Sequence, residues 1–175
     1  MEMKKILVPV ISLVVLVLLA VGLFWLKNAT QPSPMPQVAD YKNLSYLIEG
    51  EQVTLVNGYS EMEMAPGSAS KTITRIFGNE VTGDLNGDSM PDIAFLITQE
   101  PGGSGTFFYV ASALKTESGW EAGNAILLGD RIAPQPMQLT NGELIVNFAD
   151  RKPGEPMTTR PTVGVSRYFK FSNGD

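Results

Sequence analysis

Apolar positions along the chain fall into one unbroken block followed by many short alternations. Ile6 to Leu26 is a run of 21 residues without a charge, interrupted only by Pro9, Ser12 and Gly22. At about 1.5 Å per residue, a helix of that length crosses the roughly 30 Å apolar core of a bilayer. Lys4 and Lys5 precede the run, and Phe24 and Trp25 sit at its far end as an aromatic belt would. The pattern predicts a cytoplasmic start at residues 1–5 and an uncleaved transmembrane anchor at 6–26. The C-terminal part is then periplasmic or extracellular, although Lys27 weakens the charge asymmetry. A cleavable signal peptide is the alternative. Its apolar region is usually about 7–15 residues and ends in a small-residue site, for which Leu18-Leu19-Ala20-Val21-Gly22 is a poor match. Residues 27–40 read as an extended linker because Pro32, Pro34 and Pro36 recur through them.

From Tyr41 to the end, no segment sustains a helical period. Leu44 to Ile48, Gln52 to Val56, Tyr59 to Met64 and Lys71 to Phe77 are short runs of strand length, several of them alternating, as are Glu143 to Ala149 and Val163 to Ser172. Ile93 to Thr98 is apolar and rich in β-formers, so it predicts a buried strand, with Thr106 to Val110 as its neighbour. Val110 to Lys115 either extends that strand or makes a short turn of helix. Gly119 to Leu128 suggests a strand pair, and Arg131 to Thr140, with Pro134 and Pro136, an edge strand or ordered loop. Asn57-Gly58 and Asn141-Gly142 are two-residue hairpin signals. Met62, Met64 and the run Phe107-Phe108-Tyr109 are expected to fill the core. The fold class that follows is mainly β: a small antiparallel β-sandwich or open barrel over residues 41–175, preceded by one transmembrane helix.

Composition narrows the chemistry. There is no Cys and no His among 175 residues. That excludes disulfides, zinc–thiolate and iron–sulfur sites, cysteine nucleophiles and a Ser-His-Asp triad. The formal net charge is −5, and Lys4, Lys5 and Lys27 belong to the first 27 residues. An acidic domain lacks the basic footprint that nucleic acid requires.

One stretch concentrates oxygen ligands. Gly83-Asp84-Leu85-Asn86-Gly87-Asp88-Ser89-Met90-Pro91-Asp92 places Asp84, Asn86 and Asp88 at alternate positions and Asp92 four further on. A curled backbone turns such side chains toward one centre, and the carbonyl of Met90 can join them. Calcium takes six to eight oxygens at about 2.3–2.6 Å in a tolerant geometry. The loop is not an EF-hand: Phe95 stands where the bidentate Glu belongs, Ser89 stands where Gly belongs, and a strand follows in place of a helix. A metal-free turn rich in Asn, Asp and Gly is the alternative.

Residues 75–113 as a whole resemble the FG-GAP (VCBS-type) calcium repeat of integrin-like propeller blades and bacterial surface proteins. Phe77-Gly78 precedes the loop, Gly83 to Asp92 supplies the G-D-x-N-x-D-x-x-x-D core, and two strands flank Pro101 to Gly105. The resemblance implies calcium held between two strands by Asp84, Asn86, Asp88 and Asp92, with Ser89 in place of the family's usual Gly. The repeat occurs once, too few for a propeller of about 4–8 blades.

Together these features predict a membrane-anchored extracytoplasmic domain, stabilised by calcium in loop 84–92, with a binding or structural role. The membrane is its one predicted partner, and the sequence names neither a protein nor a glycan. Two other readings stand beside it. One is an envelope hydrolase working through Asp130, Asp150 and Glu155. The other is an accessory or inhibitor subunit of an envelope complex. The irregular stretch Asp150 to Thr162 also offers Asp150, Arg151, Glu155 and Arg160 as a polar site, or as a solvated loop held by local ion pairs.

Overall fold

A computed structural model describes residues 40–171. The predicted anchor and nearly all of the linker lie outside the described residues. Among the described residues, no helix is long and apolar enough to cross a membrane. Their one helix is a single 3-10 turn, Tyr41–Asn43, capped by Asp40.

The fold is mainly β, as the alternations predict. It is built on β5 (Asp92–Pro101), which is buried without interruption from Asp92 to Thr98. Ile93-Ala94-Phe95-Leu96-Ile97 has no polar face, so both sides of the strand need cover. β4 (Lys71–Gly83) and β6 (Phe107–Thr116) pair with it antiparallel. The odd positions Ile93, Phe95 and Ile97 enter one core with Tyr41, Tyr46 and Tyr109. The even positions Ala94 and Leu96 enter a second core with Phe108, Val110, Val146 and Phe148. Burying Phe95 or Leu96 fully contributes roughly 1.5–3 kcal/mol each.

The first core lies inside a sheet that nearly closes on itself. Its strands run β2 (Glu51–Thr54), β1 (Ser45–Ile48), β8 (Asn124–Asp130), β6, β5, β4 and β3 (Tyr59–Glu63). β2 and β3 are the two ends of this order, yet they are consecutive in sequence. Val56 and Tyr59 exchange backbone hydrogen bonds of 2.8 and 3.2 Å across Asn57 and Gly58. Both turn residues have positive φ, 53° and 78°, as the two-residue turn demands. The predicted turn therefore forms, but it does not open a hairpin: β2 pairs with β1, and β3 with β4. The turn joins the two sheet ends. Gly58 is pinned there, donating to the Lys42 carbonyl (2.7 Å) and accepting from the Ile76 N–H (2.8 Å).

The second core is closed by a smaller sheet. β11 (Glu143–Asp150) pairs with β10 (Gln138–Thr140), β12 (Val163–Lys170) and the two-residue β9 (Ala133–Pro134). Leu144, Val146 and Phe148 face inward together, as their spacing predicts. Asn141-Gly142 makes the expected hairpin between β10 and β11.

Three sequence expectations are refined. Residues 110–115 extend β6 as strand. The pair expected over 119–128 is one interrupted strand: β7 (Gly119–Ala122) and β8 both run back along β6. They break at Gly123, which donates to the Ser112 carbonyl (2.8 Å) and has no room for a Cβ beside that serine. Met62 and Met64 are not core residues. They are 45% and 54% exposed: Met62 lies on β3, the last strand of the sheet, and Met64 just beyond its end.

Candidate metal centre

The acidic loop spans the neck between β4 and β5, closed by the Gly83–Asp92 pair. Its side chains fold back on its own backbone. Asp84 accepts from the N–H groups of Gly87 (Oδ1, 2.6 Å) and Ser89 (Oδ2, 2.9 Å). Asn86 Oδ1 accepts from the Asp88 N–H at 3.0 Å, and its Nδ2 donates to Asp88 Oδ2 at 3.0 Å. Asp88 Oδ1 accepts from the Met90 N–H at 2.7 Å. These are the local bonds that short Asx side chains make in turns. The chain reverses through left-handed Gly87 (φ 86°) and Ser89 (φ 70°). A side chain at such a position costs on the order of 1 kcal/mol, so Ser89 leaves the loop strained where glycine would not.

Asp92 differs from its neighbours. It is fully buried, and both oxygens accept backbone hydrogen bonds of 2.8 Å. Oδ2 takes the N–H of Leu85 within the loop, and Oδ1 takes the N–H of Lys115 on β6. One carboxylate thus fastens the loop to its own neck and to the next strand but one.

Ligand oxygens of Asp84, Asp88 and Asp92 lie within 4.8 Å of one another, an arrangement able to hold a metal ion. None of the ion pairs among the described residues includes these three acids. Like charges held this close repel one another, and a bound cation relieves that repulsion. Of the five predicted positions, the three aspartates share the cluster. Asn86 sits against Asp88, and Met90 joins through its N–H to Asp88.

Sequence reasoning overlooked Leu85. This apolar residue inside a polar loop is buried in the second core. It also walls an open, mainly apolar groove of about 280 Å³ with Val110, Ile126, Leu144, Phe169 and Phe171. A leucine between Asp84 and Asn86 was the available signal.

The other acidic candidates are engaged differently. Asp130 is clasped by Arg131, with Nε–Oδ1 at 3.1 Å and Nη2–Oδ2 at 2.8 Å, and also accepts from the Thr106 N–H. The Arg131 guanidinium holds the Asp130 carboxyl below its usual range, against the opposing effect of burial. Asp150 accepts from the Arg151 N–H and Glu155 from the Lys152 N–H. Arg151 donates to the carbonyls of Thr159, Arg131 and Asp130, at 2.5, 3.1 and 3.4 Å. Arg160 is exposed. Asp150 closes β11, and the stretch 151–162 is irregular, as expected, with the Thr162 N–H donating back to the Asp150 carbonyl at 2.9 Å.

No protein-family model, curated protein or solved structure matches the chain.

Proposed function

We propose that this chain is a single-pass membrane protein with a cytoplasmic N-terminus, whose β domain stands outside the cytoplasm and is stabilised by calcium at Asp84, Asp88 and Asp92. The observation that carries the metal reading is the convergence of three carboxylates within 4.8 Å without a basic partner. All-oxygen donors favour a hard cation, and calcium accepts an irregular set of carboxylate oxygens more readily than magnesium, which demands a near-ideal octahedron. The FG-GAP-like pattern over residues 75–113, with its loop between two antiparallel strands, supports the same ion. The membrane anchor rests on the uncharged run Ile6 to Leu26 and the lysines before it. The role is binding or structural. The hydrolase reading has less behind it, because Asp130 is committed to Arg131 and the Thr106 N–H, and Asp150 and Glu155 to neighbouring backbone N–H groups.

The test is thermal unfolding of the full chain with excess EDTA and with millimolar calcium. Saturating the native state at about 100 times Kd adds roughly 2.7 kcal/mol, a rise of several degrees for a domain of this size. The shift should vanish in Asp84→Ala and Asp88→Ala. Equal melting in both buffers would sink the calcium assignment.

A further inference from the structure

The chain contains four Asn-Gly steps: 57–58, 86–87, 141–142 and 173–174. The first three lie among the described residues. Such a step is chemically labile. The backbone nitrogen of the glycine attacks Cγ of the asparagine, a new N–C bond closes a five-membered imide, and ammonia leaves. Water then opens either carbonyl, giving aspartate or isoaspartate. Glycine speeds the attack because no Cβ obstructs it. The reaction needs a free glycine N–H, a free asparagine amide and a backbone able to leave its turn.

These needs are met unequally. Gly58 is buried, and its N–H donates to the Lys42 carbonyl at 2.7 Å. The Asn57 N–H is also tied, to Asn43 Oδ1 at 2.8 Å. The Gly87 N–H donates to Asp84 Oδ1 at 2.6 Å, and both ends of the Asn86 amide are engaged with Asp88. Asn141 and Gly142 are both exposed. Among the described residues, neither the Asn141 amide nor the Gly142 N–H has a hydrogen-bond partner. The turn closes on β10, whose ladder with β11 is three residue pairs long, Gln138–Ile145 to Thr140–Glu143. Short, exposed ladders open locally at low cost.

We propose that Asn141 is a site of spontaneous imide formation and deamidation, while the fold protects Asn57 and Asn86. The products matter to the fold. Isoaspartate inserts a methylene into the backbone, which a two-residue turn cannot absorb. Aspartate adds a charge next to Glu143, which faces Lys170 at 3.9 Å. β10 also carries Leu139, packed so closely on Gly83 that a Cβ there would collide with it. Gly83 closes the neck of the acidic loop, so damage at the hairpin tip reaches the base of that loop. The modification itself does not depend on calcium binding.

The experiment is incubation of the folded full chain at mildly alkaline pH, followed by digestion and mass spectrometry of the three peptides. Conversion adds about one mass unit and splits the product into two chromatographic peaks. Asn141 should convert at least about tenfold faster than Asn57 or Asn86, equivalent to about 1.4 kcal/mol in opening free energy. In concentrated urea the three should converge to within a few-fold. Comparable rates in the folded chain would overturn the proposal. So would the same ranking in urea, since local sequence would then account for it.

Discussion

The loop Asp84–Asp92 and the cluster around Asp130 and Asp150 both gather acids at strand ends, and they balance the charge in opposite ways. The second carries its own cations. Arg131 clasps Asp130 in a two-point pair, and Arg151 spans from the Asp150 end of β11 to the carbonyls of Asp130, Arg131 and Thr159. The first has no arginine or lysine side chain among its hydrogen-bond partners; its acids accept only from backbone N–H groups and from the Asn86 amide. Backbone donors orient a carboxylate but carry no full charge. A cluster with internal arginines is complete as it folds. A cluster wired to the backbone alone, with three carboxylates within 4.8 Å, leaves room for an external cation.

Substitutions sharpen this contrast. The largest effect is expected at Asp92. Asp92→Ala leaves the N–H groups of Leu85 and Lys115 without acceptors in a buried place, and each such loss costs about 1–3 kcal/mol. Urea unfolding in EDTA should therefore show a loss of about 2–6 kcal/mol with no metal involved. A loss under about 1 kcal/mol would mean that this carboxylate does not hold the loop to β6. Asp92→Asn keeps one acceptor and should fall between the two.

Arg151→Ala comes next. It removes one donor group from three carbonyls, a change worth about 1–3 kcal/mol, and should leave any calcium-induced rise in melting temperature untouched. If the calcium response disappeared with it, the two acid clusters would not be independent. Arg151→Lys should rescue only part of the loss, because a point charge cannot reproduce the planar fork.

The smallest effect is a pH dependence. The folded-state pKa of Asp130 is depressed, chiefly by Arg131. Its contribution is therefore fully present above the ordinary aspartate value of 3.8 and is lost as pH falls through the lower folded value. Asp130→Asn should therefore cost most stability above the ordinary value, converge on the unsubstituted protein in acid and so flatten the acid limb of the stability–pH curve. An unchanged acid limb would show that the pair does not persist in solution.

Much of the molecule is legible in the chain because it depends on neighbours in sequence. Period-two alternation marks β4 and β11, and the apolar run after Asp92 marks a strand buried on both faces. Asn57-Gly58 and Asn141-Gly142 adopt the left-handed conformations their composition favours. The curl of the acidic loop also follows from its residues, since Asp84, Asn86 and Asp88 bond N–H groups two to five positions ahead. None of these features requires a distant partner.

What the sequence could not decide is which strands meet. The same Asn-Gly turn makes a hairpin at 141–142 and joins the two ends of a sheet at 57–58. Local turn chemistry is alike in both, and the difference lies in which apolar faces remain to be covered. Met62 and Met64 read as core by their alternation, yet they lie exposed, one on the last strand of the sheet and the other just past its end. Asp92 reads as the last acid of a loop, and tertiary structure alone brings Lys115, 23 residues on, to its second oxygen. Backbone conformation is set by a few adjacent residues, whereas pairing and burial are set by the whole chain's need to cover both faces of β5.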